Sequence, residues 1–112
     1  MVFQRDDEVI DFVRGRVYAN QELVNLGPVE YRIFHYLVKN EGHVVPGQAL
    51  LEYICGQEFR DKLDFLEASF GKLRDSLHMY PTISSLLTEQ SSEGYSFARG
   101  DKSRAPVSKS RV

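Results

Sequence analysis

Within the segment LDFLEASFGKLRDSLH (residues 63–78), Leu66, Phe70, Leu73 and Leu77 recur at i, i+4, i+7 and i+11. That spacing draws one apolar stripe down a helix and predicts a helix over about residues 60–78. Pro81 cannot continue it and marks its exit. Upstream, Gly27-Pro28 with Glu30 opens another helix, since glycine is tolerated at the cap and proline suits the first helical position. Its apolar positions are Ile33, Phe34, Leu37 and Val38, and Asn40-Glu41-Gly42 closes it, giving a helix over about residues 28–40. Between these two, Pro46 starts a helix over about residues 46–55 that carries Leu50, Leu51 and Ile54, with Gly56 at its end.

Two other stretches alternate. In residues 8–26 the apolar positions are Val9, Ile10 and Phe12, then Val17 and Tyr18, then Leu23, Val24 and Leu26. Gly15 and Asn20-Gln21 break the runs, which predicts two or three short antiparallel strands. Residues 83–89 (ISSLLTE) and 94–98 (GYSFA) predict a hairpin turning over Gln90-Ser91-Ser92-Glu93. Residues 1–7 read as a flexible polar arm and residues 99–112 as a disordered basic tail. The whole is an α+β plan over residues 8–98: an N-terminal antiparallel sheet, three helices and a C-terminal β-hairpin wing. Three helices closed by a hairpin make a winged helix-turn-helix, whose third helix enters the DNA major groove. Leu66, Phe70, Leu73 and Leu77 should then bury against Ile33, Phe34, Leu37, Leu50 and Leu51.

Charge complicates that reading. The formal charge is −2, but Arg99, Lys102, Arg104, Lys109 and Arg111 stand against only Asp101 in the tail. Residues 1–98 therefore hold nine basic and fifteen acidic residues, a net of −6. An acidic body is a poor electrostatic partner for a polyanion, whereas the tail, interleaved with Ser103, Ser108 and Ser110, suits non-specific phosphate contact. Composition adds outer bounds. A chain of 112 residues with 42% hydrophobic and 27% charged positions reads as one soluble domain. No apolar run approaches the roughly 20 residues of a membrane span, and no secretory signal opens the chain. The single cysteine, Cys55, forms no internal disulfide and fits a cytoplasmic protein.

The segment NLGPVEYRIFHYLVKNEGHVVPGQALLEYICG resembles the helix 1–helix 2 region of the OmpR/PhoB-type effector domains of bacterial response regulators. There the pattern is Leu-Thr-Pro-x-Glu-Phe, an apolar helix, a short Gly turn, Val-Val and a Leu-Leu pair. LDFLEASFGKLRDSL resembles their recognition helix, and LLTEQSSEGYSF resembles their wing, which ends Gly-Tyr-x-Phe. The likeness runs from about Val9 to Phe97. It implies that residues 8–26 form the N-terminal sheet of that family, and that Asp64, Ser69, Lys72, Arg74, Ser91 and Ser92 occupy DNA-facing positions.

Those positions differ from the family pattern. Asp64 stands where the family usually has Arg or another polar residue, Ser69 where it often has His, and Lys72 where it often has Arg. Asp75 replaces a further basic residue, Ser91-Ser92 an Arg-Gly, and Pro46 the Ser or Thr that caps helix 2. Lys72 and Arg74 remain the plainly cationic pair. Two or three cationic contacts per monomer give a salt slope of only about −2 to −3. Tight binding would then need dimerisation on tandem half-sites or help from the tail.

Other residues point to no chemistry. His35, His43 and His78 lie on different elements without metal-site spacing, and Cys55 reads as core or boundary packing. Asp64 and Glu67 lack a cleft or third partner for catalysis. Tyr31 and Tyr36 read as core-edge residues, and Tyr95 and Phe97 as anchors of the wing to helix 3. There is no Gly-rich phosphate loop and no nucleophile with a partnered base. Neither enzyme activity nor a cofactor is expected. The function expected is a DNA-binding transcriptional regulator of the response-regulator effector type, with double-stranded DNA as partner. No receiver domain fits in the residues before position 27. The alternative is a winged-helix protein-interaction module that has lost specific DNA binding, whose acidic face contacts a protein.

Overall fold

The computed structural model describes residues 1–90 and 93–99. Four strands, β1 (Val2–Arg5), β2 (Glu8–Val13), β3 (Arg16–Ala19) and β4 (Glu22–Val24), form an antiparallel sheet in sequential order. Arg14-Gly15 and Asn20-Gln21 make the two-residue turns between β2, β3 and β4, with φ of 50° and 80°, then 49° and 72°. Positive φ at both central residues is the turn whose twist matches that of the flanking strands. Residues 2–5, expected within a flexible arm, instead form the edge strand β1, with Phe3 opposite Ile10 in the register. The Phe3 ring meets Phe97 edge-on at a centroid distance of 4.9 Å. One aromatic in a polar segment gives no periodic signal, and its partner lies at the far end of the chain.

The chain then forms α1 (Pro28–Lys39), α2 (Gly47–Cys55), a 3-10 turn (Gln57–Phe59), α3 (Leu63–Ser76), α4 (Pro81–Leu86), β5 (Leu87–Gln90) and β6 (Gly94–Phe97). Pro28 sits in the first turn of α1, and the Asn40 side chain donates to the Tyr36 carbonyl at 2.8 Å past its end. The third helix is shorter than expected, running Leu63–Ser76; the 3-10 turn at Gln57–Phe59 precedes it, and Lys62 stands at its N-terminus without a side-chain cap. A second expectation fails at residues 83–86, which are helical and not strand. The cause is non-local: the Glu8 carboxylate accepts the backbone N–H groups of Thr82 at 3.0 Å and Ile83 at 2.7 Å. These are orphan donors of a helix start, so β2 nucleates a turn of helix that the Ile and Leu side chains alone would not specify.

The helices and the hairpin share one core with the inner face of the sheet. Ile10, Phe12, Val17, Ala19 and Val24 point inward from β2, β3 and β4, as strand alternation requires. Against them lie Ile33, Phe34, Leu37 and Val38 of α1, Leu50, Leu51 and Ile54 of α2, and Phe97 of β6. Leu66, Phe70, Leu73 and Leu77 are all buried, so the stripe that predicts the third helix is the stripe that packs it. The wing is tied to the segment before α2. Val45 donates to the Tyr95 carbonyl at 2.8 Å and accepts from the Tyr95 N–H at 2.9 Å. Gly94 stands at that crossing with φ of +131°, and a Cβ there would lie 2.2 Å from the Val45 carbonyl oxygen. The Gly-Tyr pair at the start of β6 is a packing requirement of the wing.

Candidate nucleic-acid interface

The outward side of α3 follows from its inward side by geometry. Displacing the buried stripe by two residues, about 200° around the helix, gives Asp64, Ala68, Gly71 and Asp75. All four are exposed, so this line faces straight out from the domain. Lys72 and Arg74, both exposed, lie on opposite sides of it. Lys72 shares its flank with Phe65, seven residues earlier, and Arg74 shares the other with Glu67, seven residues earlier. The Arg74 flank is the one beside the wing, since Glu67 and Tyr95 border the same cleft and the Phe70 ring meets Tyr95 at 4.8 Å. Among the described residues, the side chains of Asp64, Lys72, Arg74 and Asp75 make no ion pair and no hydrogen bond.

Four of the six residues expected to face DNA can be placed. Asp64, Lys72 and Arg74 are on the outward surface. Ser69 is not: it is buried, with 4% of its surface exposed. It directly precedes Phe70 and lies three residues after Leu66, which turns it about 60° from the inward stripe, inside the sector that packs. Ser91 and Ser92 lie outside the described residues. Pro46 is the residue before α2 and makes no side-chain cap, and Arg99, the first basic residue of the tail, is exposed.

Sequence reading missed the cleft between the start of α3, the start of α2 and the wing. Asp64, Glu67, Glu89 and Glu93 border it, together with Pro46, Gly47 and Tyr95. The Tyr95 hydroxyl donates to Glu89 at 3.3 Å. Burial, and then the Glu89 and Glu67 carboxylates, push the Tyr95 phenol up to about 12, so it stays a neutral donor. The four acids come from α3 and both sides of the hairpin, and only the fold assembles them. The one signal in the sequence was the net negative charge of residues 1–98. A phosphate strand laid in this cleft would meet carboxylates; the cation on this side of α3, Arg74, lies farther along the helix.

Elsewhere, His35 and Cys55 are engaged in packing, while His43 and His78 are exposed in separate connecting segments. The His35 ring stacks on Tyr31 at 5.8 Å and 13°, and burial followed by nearby Lys39 lowers its pKa. Cys55 is half-buried at the end of α2. Among the described residues no three His, Cys, Asp or Glu side chains gather to hold a metal ion, and no helix is long and apolar enough to cross a membrane.

A meander sheet, three core helices and a hairpin wing presenting the outer face of α3 define a winged-helix domain. The chain belongs to the family described as transcriptional regulatory protein, C terminal, which it matches over residues 20–97; this is the OmpR/PhoB-type DNA-binding domain. It is 26% identical over 91 residues to the KDP operon transcriptional regulatory protein KdpE of Escherichia coli strain K12, covering 81% of this chain. It is 31% identical over 93 residues to the regulatory protein VanRc of Enterococcus gallinarum, covering 83% of this chain. In both cases the chain spans only 40% of the relative's length. Its fold matches the Klebsiella pneumoniae RstA DNA-binding domain, solved in complex with the RstA box. The TM-score is 0.67 and the identity 22%, with 87% of this chain and 96% of that one covered. It matches equally the C-terminal domain of the nisin resistance regulator NsrR, at a TM-score of 0.67 and 20% identity over 82% of this chain and 94% of that one.

Proposed function

We propose that this chain is the DNA-binding output domain of a cytoplasmic transcriptional regulator and that α3 enters the major groove. The observation that carries the reading is the pair of unpartnered cations, Lys72 and Arg74, on opposite flanks of the exposed face of α3. A helix seated in the major groove has a phosphate strand on each side, and one cation per flank meets one strand each. Membership of the family supports the assignment. With so few cations, a single domain binds weakly. Pairing of two copies on tandem half-sites and the basic residues after Arg99 supply the rest of the affinity.

Fluorescence anisotropy with duplex DNA across a salt series tests this. Binding should be measurable at low salt, with a slope near −2 to −3 per domain if two or three phosphates are neutralised. Lys72→Ala and Arg74→Ala should each reduce the slope by about 1. A chain that binds no duplex at low ionic strength would refute the proposal.

A further inference from the structure

Asp64 and Asp75 lie at either end of the line of α3 that faces straight out, with only Ala68 and Gly71 between them, while the flanks carry Lys72 on one side and Arg74 with Glu67 on the other. In a major groove the flanks of a helix meet phosphates and its outward line meets base edges. The floor of that groove is not uniformly negative, because cytosine N4 and adenine N6 present amino donors there. We infer that Asp64 and Asp75 are the specificity-determining residues of this domain, each accepting from the exocyclic amino group of a cytosine. This rests on α3 being the helix that enters the groove.

Cytosine is favoured over adenine on chemical grounds. The N7 acceptor of adenine lies beside its amino group and repels the second carboxylate oxygen, whereas cytosine carries no acceptor on its own major-groove edge. Ala68 and Gly71 between the two acids present no long side chain to hold the helix off the groove floor, and nothing lies within 4 Å of where a Gly71 Cβ would be. Eleven residues at about 1.5 Å each put the acids about 16 Å apart along the helix axis. Because a helix in the groove runs oblique to the DNA axis, that reach spans at most about five base steps of 3.4 Å. The preferred site therefore carries two C·G pairs no farther apart than that, read by acceptors where other winged helices can use arginine on guanine.

Selection of binding sites by the full chain from a randomised duplex library at low salt, repeated with Asp64→Asn and Asp75→Asn, tests this. The wild type should enrich cytosine at two positions separated by a fixed spacing of at most about five base pairs. Asparagine adds a donor and suits adenine N6 and N7, so each variant should move preference from cytosine toward adenine at one of the positions, by roughly tenfold or more. Both aspartates are exposed, so melting temperatures should stay within a few degrees of the wild type. Variants that bind every duplex more tightly while enriching the wild-type motif would show the acids to be only a charge cost, and would overturn this inference alone. A wild type that enriches no motif yet binds duplex with the expected salt slope would also overturn it. Failure of the wild type to bind any duplex would overturn the DNA-binding reading together with it.

Discussion

Replacing Gly94 by alanine adds one methyl group at the crossing of the wing and the segment before α2, and the geometry there fixes its cost. The new Cβ would lie 2.2 Å from the Val45 carbonyl oxygen, 2.7 Å from the Val45 carbonyl carbon and 2.9 Å from the Pro46 Cα. All three are backbone atoms, so no side chain can swing away. Reaching ordinary contact requires the two segments to part by about 1 Å. That stretches both hydrogen bonds between Val45 and Tyr95, at 2.8 and 2.9 Å, each worth about 0.5–1.5 kcal/mol net. In addition, an L residue at φ of +131° carries strain of about 1–3 kcal/mol. Together the range is about 2–6 kcal/mol, a large share of the roughly 5–15 kcal/mol by which a domain is stable. Gly71→Ala is the matched control: it adds the same methyl to an exposed position in α3 with nothing within 4 Å. There alanine should stabilise by about 0.5–1 kcal/mol, through helix propensity alone. Urea unfolding followed by far-ultraviolet circular dichroism measures both, with an unchanged m-value showing that the stability itself has moved. If the two substitutions shift stability in the same direction, or Gly94→Ala stays within about 0.5 kcal/mol of the wild type, the argument from backbone contact is wrong.

Other perturbations separate the faces and joints of the domain. Leu73→Ala should cost about 2–5 kcal/mol as a buried leucine truncation, while the adjacent Lys72→Ala should leave melting within a couple of degrees and weaken DNA binding; equal effects on stability would contradict the assigned faces. Glu8→Ala removes the acceptor of two backbone N–H groups at the start of α4 and should cost about 2–4 kcal/mol, with Glu8→Gln milder; chemical denaturation decides, and a neutral Glu8→Ala would show that β2 does not hold α4. The raised Tyr95 phenol makes folding favour its neutral form, so its share of stability is intact below pH 10.0, the ordinary tyrosine value, and is lost as pH climbs toward about 12. Tyr95→Phe should flatten that alkaline loss in a pH series of melting temperatures, and an identical pH profile would refute the shift.

What could be read from the sequence divides along physical lines. The three helices were legible because burial repeats locally: a residue's neighbours at i+3 and i+4 share its face, so Leu66, Phe70, Leu73 and Leu77 reveal both the helix and its inner side. The strands of residues 8–26 were legible in the same way. Features made by contacts between distant residues were not. The conversion of residues 83–86 to helix depends on Glu8, some 75 positions away, and β1 depends on Phe3 meeting Phe97. In the site, Asp64, Ser69, Lys72 and Arg74 were all assigned by family position; three of them are exposed, while Ser69 falls in the packed sector that the helix pattern itself marks out. The acidic cleft escaped notice because Glu67, Glu89 and Glu93 are scattered in the sequence and meet only through the wing.

The inward stripe and the outward line of α3 interleave along one helix, yet they answer to different constraints. Any change at Leu66, Phe70, Leu73 or Leu77 alters packing against α1 and α2 and is felt by the whole domain, because a core at organic-crystal density tolerates little change of volume. Substitution of an exposed residue at Asp64, Ala68, Gly71 or Asp75 shifts stability by only about 0.5 kcal/mol in most cases. The outward line can therefore change in sequence while the fold persists; the fold itself is shared at a TM-score of 0.67 with only 22% identity. Likeness of fold accordingly says little about the bases a given member reads. On the outer line and its flanks this chain carries Asp64, Glu67, Lys72, Arg74 and Asp75.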